Sequence, residues 1–333
     1  MARFLLTRIV YLVLLVAVAT TLAYLLAGTQ LNPRLRFEGR NPPPSPASIT
    51  ATLNELNMNP DTPVLQRYAK WVDGVFHGNL GQTILGQSVN QQISTRIWVS
   101  LRLVLIGSII GAIVGCAIGA YGAVKQYRLS DHVATILSFV VLSIPTVVLC
   151  KLVQLLGTSI NSATGETANG SQIFYTVGEY SPGQGSWTSF SDVIDRLQHG
   201  VLPTLVLVIA AAAFYSRYQR SSMLDVLGQD FLRTAQAKGL TRTRALIKHG
   251  LRTALIPLTT FFSYNLALLF IGSTFVEIIF SWHGMGEYLV TSITTQDINS
   301  TAATTLFVAV LVLLAGFLSD IAYAALDPRV RVS

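Results

Sequence analysis

Cysteine is almost missing from this chain. Its two cysteines, Cys116 and Cys150, both fall inside long apolar runs. That position excludes an extracellular disulfide framework and a spaced cysteine metal site. Charge is scarce as well: Lys, Arg, Asp and Glu make up 12% of the 333 residues, against roughly 25% in soluble domains. No Gly-x-x-x-x-Gly-Lys-Ser/Thr phosphate loop occurs, so the chain is not expected to hydrolyse ATP itself. His-Glu-x-x-His and Gly-x-Ser-x-Gly are missing too, and His77, His132, His199, His249 and His283 are scattered. A membrane-embedded enzyme is therefore poorly supported. An ion-driven secondary carrier would call for paired acids near the membrane midplane or an inverted repeat. Glu277 and Asp320 instead lie toward the ends of apolar runs.

Hydrophobic residues are abundant, at 51%. Six runs approach or exceed the about 20 apolar residues that a span requires, near 8–27, 98–123, 133–157, 201–218, 253–281 and 302–324. All six are expected to be helices, because lipid offers backbone groups no hydrogen-bond partner. The first run is longer than the about 7 to 15 residues of a signal-peptide core, which favours a retained span. The net charge of +7 does not point to nucleic acid. With both termini cytoplasmic, the basic residues concentrate in short inside segments, as topology rules require.

These features predict an all-α, multi-pass integral membrane protein with six transmembrane helices. Its first span is 1–27, followed by an extracytoplasmic segment at 28–97. A core of five spans occupies 98–324, and 325–333 forms a cytoplasmic tail. Within the core, 158–198 is an external loop and 219–252 a cytoplasmic region. Pro42 to Pro46 reads as extended or irregular, whereas Asn54 to Gly81 has helical periodicity and predicts short helices on the outer membrane surface. Gly107, Gly111, Gly115 and Gly119 recur every fourth residue and form a stripe for close helix packing. Pro145 is expected to kink the third span. Lys151 is expected to snorkel to the outer interface. The loop at 158–198 is rich in small polar residues and reads as irregular, its Glu166, Glu179, Asp192 and Asp195 simply solvated. Ser263, Tyr264 and Asn265 put polar groups within the fifth span and are candidates for lining a path.

The charged island from Arg217 to Pro257 separates two apolar runs and must reach water. Asp230 is expected to N-cap a short helix, Gly239 to end it in the left-handed conformation, and Thr241 to cap the next. The result is a helix-turn-helix knob with the small residues Ala235, Ala237 and Gly239, shaped to enter a partner's groove.

The run Arg233-Thr234-Ala235-Gln236-Ala237-Lys238-Gly239-Leu240, followed by Lys248-His249-Gly250-Leu251-Arg252 and onward to Pro257, resembles the cytoplasmic coupling loop of ABC-importer permeases in its peptide-importer form. The generic motif begins Glu-Ala-Ala, where this chain has Arg233, Thr234 and Ala235. Further resemblance lies at Pro63 to Trp71, His77 to Gly81, Ile93 to Arg96 and Ser143-Ile144-Pro145. It continues at Glu277, Phe280, Trp282, Gly284, Gly286 and Asp297, and at Asp320, Tyr323 and Asp327-Pro328-Arg329-Val330-Arg331. Trp282 suits the membrane interface and the two glycines suit a turn.

This resemblance covers most of residues 60–331. It implies a B-type permease subunit with the type I ABC importer fold, located in a bacterial inner membrane. The implied partners are a homologous second permease, two cytoplasmic ATPase domains carrying ATP and Mg²⁺, an extracytoplasmic substrate-binding protein, membrane lipid and a peptide substrate. No cofactor is expected on this chain. Asp230, Arg233, Thr234, Ala235, Ala237, Lys238, Gly239 and Leu240 are the residues expected to transmit force.

Overall fold

The computed structural model describes residues 2–38, 41–42, 44–164, 172–183 and 189–326; the side chains of 2–9, 259–272 and 318–326 lie outside the description. The described residues form helices and contain no named strand. Helix α1 spans Ala2–Gln30. Three short helices follow it: α2 (Leu35–Glu38), α3 (Pro46–Glu55) and α4 (Val64–Phe76). The long α5 (Val89–Val124) precedes α6 (Leu129–Ser143), α7 (Thr146–Thr164) and α8 (Phe190–Leu227). Two short helices, α9 (Asp230–Ala237) and α10 (Arg242–Ala245), lead through a π-helical turn at Leu246–Leu251 into α11 (Arg252–Ile279). Finally come α12 (Met285–Thr294) and α13 (Ile298–Leu326).

Among the described residues, α5, α7, α8 and segments of α1 and α13 are long and apolar enough to cross a membrane. The expected span at 253–281 coincides with the backbone of α11. The run at 133–157 is divided between α6 and α7. Proline at 145 disfavours the α conformation in the residue before it, and Ile144 turns extended, at φ −81° and ψ 126°. The consequence is a complete break where the sequence suggested a kink.

The chain divides into two compact units, Met1–Ser100 with His283–Leu314 and Leu101–Trp282 with Ala315–Ser333. In the first unit the short helices α2 to α4 gather around the end of α1. Arg67 is buried and donates through Nε to the Thr62 carbonyl at 3.1 Å and through Nη2 to the Gly28 carbonyl at 3.0 Å. Tyr24 stacks at a tilt against Trp71, ring centroids 5.2 Å apart. Asn299 donates to the carbonyls of Leu56 and Gln82. Beside it, the Asp297 carboxylate accepts from Ile84 N at 2.8 Å and from both the amide and hydroxyl of Ser300. Burial pushes the Asp297 carboxyl above its ordinary range, and these three donors pull in the opposite direction.

In the second unit the glycine stripe of α5 receives α8. A methyl group at Gly107 would lie 2.7 Å from Leu207 Cβ, at Gly111 2.5 Å from Ala211 Cβ, at Gly115 2.7 Å from the Ala212 carbonyl oxygen, and at Gly119 2.2 Å from the Ser216 carbonyl oxygen. Helix α6 is tied to α8 by a pair that the sequence reading did not anticipate. Arg220 clasps Asp131 with two bonds, Nε to Oδ1 at 2.6 Å and Nη2 to Oδ2 at 2.8 Å. Such a fork fixes orientation as well as distance.

The segment 158–198 is less irregular than its composition suggested. Helix covers it at both ends, and Thr158, Ser162 and Thr164 return their hydroxyls to carbonyls four residues back, at about the 3.0 Å of an ordinary bond. Glu179, Asp192 and Asp195 are not solvated, and Glu166 lies outside the described residues. Arg196 reaches Glu179 at 2.5 Å, Arg102 pairs with the same carboxylate, and Asp195 accepts from the Ser181 amide and hydroxyl. These acids hold the loop against the helices, because a buried carboxylate requires a partner. Lys151 is exposed and donates to Gln154 at 2.9 Å.

Candidate functional site

Helix α8 ends at Leu227, and the chain turns through Gly228 and Gln229 into α9. The expected cap is displaced by one residue: Gln229 occupies the N-cap position without a side-chain bond, and Asp230 is the first helical residue. Asp230 contributes there through its charge near the helix N-terminus, and lies 3.7 Å from Arg233. Thr241 caps α10 as expected, accepting from the Arg244 amide.

The stop at Gly239 is complete. Its φ is +92°, in the left-handed region where a side chain is strained. The Leu240 amide bonds the Ala235 carbonyl at 3.2 Å and the Gly239 amide bonds the Gln236 carbonyl at 2.9 Å, so the last carbonyls of α9 are satisfied locally.

Helical spacing separates two faces of α9. Leu232 is 2% exposed and packs with Ala123, Met223, Val226, Ala245, Leu246 and Ala254, with Ala235 and Leu240 at the edge of the same cluster. Asp230, Arg233, Thr234 and Ala237, at i, i+3, i+4 and i+7, share the opposite face and are all exposed. Lys238 and Gly239 extend that surface, and nothing lies within 4 Å of where a Gly239 Cβ would be. The knob is thus held from beneath by apolar packing and open above. Two exposed apolar side chains flank it, Phe231 at 40% and Ile247 at 64%. Sequence reading assigned neither a role, since an apolar residue inside a short helix looks like core until its direction is known.

Residues 107–332 match the family of binding-protein-dependent transport system inner membrane components. The chain belongs to this family. Over its full length it is 52% identical to the oligopeptide transport system permease protein OppB of Mycobacterium tuberculosis, with both chains wholly covered. It is 36% identical to AppB of Bacillus subtilis, an oligopeptide transport system permease protein, over 81% of each chain. It is 32% identical to the dipeptide transport system permease protein DppB of Escherichia coli K12 over 86% of each. A solved chain of the inward-facing MetNI methionine ABC transporter is similar in fold, with a TM-score of 0.53 at 16% identity, covering 71% of this chain and 97% of that one. The fold of this inner-membrane component is therefore that of a type I ABC importer permease, embedded as a multi-pass membrane protein.

The remaining residues singled out from sequence are dispersed over this permease. Pro145 makes the α6–α7 break, and Pro257 lies exposed in α11. Glu277 is fully buried, and Trp282 is 5% exposed and lines an apolar cavity of about 400 Å³ with Leu103, Ile106 and Val201. The turn after α11 is made by Ser281, at φ +50°, instead of by a glycine. Gly284 is extended, at φ −94°, and N-caps α12, while Gly286 is buried within it. Ser263, Tyr264 and Asn265 lie on α11 and Asp320 on α13, all with side chains outside the described residues. Asp327, Pro328 and Arg329 lie wholly outside them.

Proposed function

We propose that this chain is the permease subunit of an ATP-driven importer of peptides, and that residues 230–240 are its contact with the ATPase. The observation that carries the docking assignment is the knob itself, packed beneath through Leu232 and presenting Asp230, Arg233, Thr234 and Ala237 outward. A helix that rests on lipid needs a free apolar face to insert. Here the face of α9 that carries Leu232 is already occupied by the cluster around Met223 and Leu246, which leaves only the separate side chains of Phe231 and Ile247 exposed beside the knob.

In this reading a homologous second permease completes the translocation path. An extracytoplasmic binding protein delivers substrate, and ATP with Mg²⁺ is bound and hydrolysed on the partner ATPase subunits. The names of the similar proteins, two oligopeptide permeases and one dipeptide permease, support a peptide as substrate. Residues 28–97 lie outside the membrane, and both termini lie in the cytoplasm.

Affinity isolation of the tagged chain from its native membrane in gentle detergent tests the assembly. Co-isolation of a second permease and of ATPase subunits is the expected result. Recovery of the chain alone, with uptake persisting in vesicles, would replace the reading with that of an autonomous carrier. Topology is checked separately with an alkaline phosphatase and green fluorescent protein pair fused after Gly250. Fluorescence without phosphatase activity is expected, and the reverse pattern would invert the orientation.

A further inference from the structure

We infer that the surface receiving this knob is acidic and offers a carboxylate to Arg233. The inference rests on the docking reading above and adds the chemistry of the partner. Between Asp225 and Arg252 the exposed side chains include Arg233, Lys238, Arg242, Arg244, Lys248 and Arg252 but only two carboxylates, Asp225 and Asp230. Arg233 stands in the middle of the outward stripe of α9, with its side chain 81% exposed. Its pair with Asp230, itself 94% exposed, spans 3.7 Å across one helical turn. A pair of that kind is weak and leaves most of the five guanidinium donors to water.

Docking strips that water away. In a neutral or basic groove the guanidinium would lose hydration without replacement, which opposes binding. In an acidic groove the same donors meet a carboxylate as a two-pronged, charge-assisted contact. Lys238, at the end of α9, and Arg242 and Arg244, in α10, place further positive charge around the small surface of Thr234, Ala237 and Gly239. A rim of opposite charge on the partner accelerates encounter and rejects grooves of the wrong sign. Anionic lipid would satisfy the charges but not the shape. On the outward stripe Thr234 and Ala237 have no large apolar group to bury in a bilayer, Leu232 is already buried within the protein, and the exposed apolar side chains of Phe231 and Ile247 stand beside the stripe, outside the basic cluster.

The test uses the full chain in nanodiscs and the purified ATPase subunits of its own transport system, with binding measured at low and high salt. The Arg233→Glu, Lys238→Glu double variant is expected to bind about tenfold or more weakly. Arg233→Gln should fall between it and the parent. Parental binding should weaken as salt rises, because exposed charges are screened beyond about 10 Å at 0.1 M. Ala237→Trp, a neutral obstruction on the same stripe, reports on docking alone. If it blocks binding while charge reversal and salt have no effect, the acidic surface is refuted and docking stands. If Ala237→Trp also binds as the parent does, docking itself is refuted, and the inference with it. A charge-reversal effect confined to nanodiscs of anionic lipid would assign the basic residues to the membrane and overturn the inference.

Discussion

Gly119→Ala, the addition of one methyl group, is expected to remove most of the folded, monodisperse protein from a detergent extract. The new carbon would lie 2.2 Å from the Ser216 carbonyl oxygen and 2.9 Å from the Arg220 amide nitrogen. Both obstacles are backbone, so no side chain can turn aside; α5 and α8 must separate. Separation opens the contacts at Gly107, Gly111 and Gly115 and displaces Arg220 from Asp131. Overpacking of a tight interior usually costs about 1 to 3 kcal/mol, occasionally more, and this site belongs at the upper end. Fluorescence-detected size exclusion after a temperature ramp reads the loss. Gly200→Ala is the control: it lies within α8, on the other side of the contact, and its new carbon would meet only Trp282 Cη2, at 3.8 Å. There the helix propensity of alanine should stabilise by about 0.5 to 1 kcal/mol. Equal melting of the two variants would refute the close approach of α5 and α8.

Gly239→Asp is expected to leave the chain inserted and folded while reducing recruitment of the ATPase at least tenfold, with uptake lost in proportion. The space around Gly239 is open, so bulk alone does not damage the fold. At φ +92° any side chain is strained, by about 1 to 2 kcal/mol for the left-handed conformation. That amount loosens the end of α9 without unfolding the spans. The remainder of the loss comes from placing a charged group on the surface that must enter the groove. Gly239→Asn, nearly identical in shape and tolerant of the same backbone, separates strain from charge. Recruitment should decrease from glycine to asparagine to aspartate. An aspartate variant that recruits as well as the parent would remove residues 230–240 from the docking surface.

Much of this was legible from local rules. A left-handed stop at Gly239 and a cap at Thr241 follow from chemistry confined to a few residues. The glycine stripe was visible because a four-residue repeat places every member on one side of a helix. Asp230 was misplaced by one position, since a helix can begin at either neighbour and the choice depends on how Leu232 must point to reach its cluster. The acids at 179 and 195 were read as solvated because composition does not disclose an arginine at 102 or a serine at 181 folding onto them. That Trp282 lines a cavity with Leu103, Ile106 and Val201 was hidden for a similar reason: its ring has an apolar body and a polar tip, and only the fold decides which neighbours it meets.

The sequence by itself determined that this chain lives in a membrane as helices, and where a charged knob interrupts them. Length, apolarity and turn chemistry act over tens of residues or fewer, so they are readable along one dimension. Tertiary structure alone decided that Asp131 is clasped by Arg220, and which face of α9 is buried and which is free. Asp131 and Arg220 are separated by 89 positions, and their meeting depends on which helix faces come together, a property of packing that no local pattern carries.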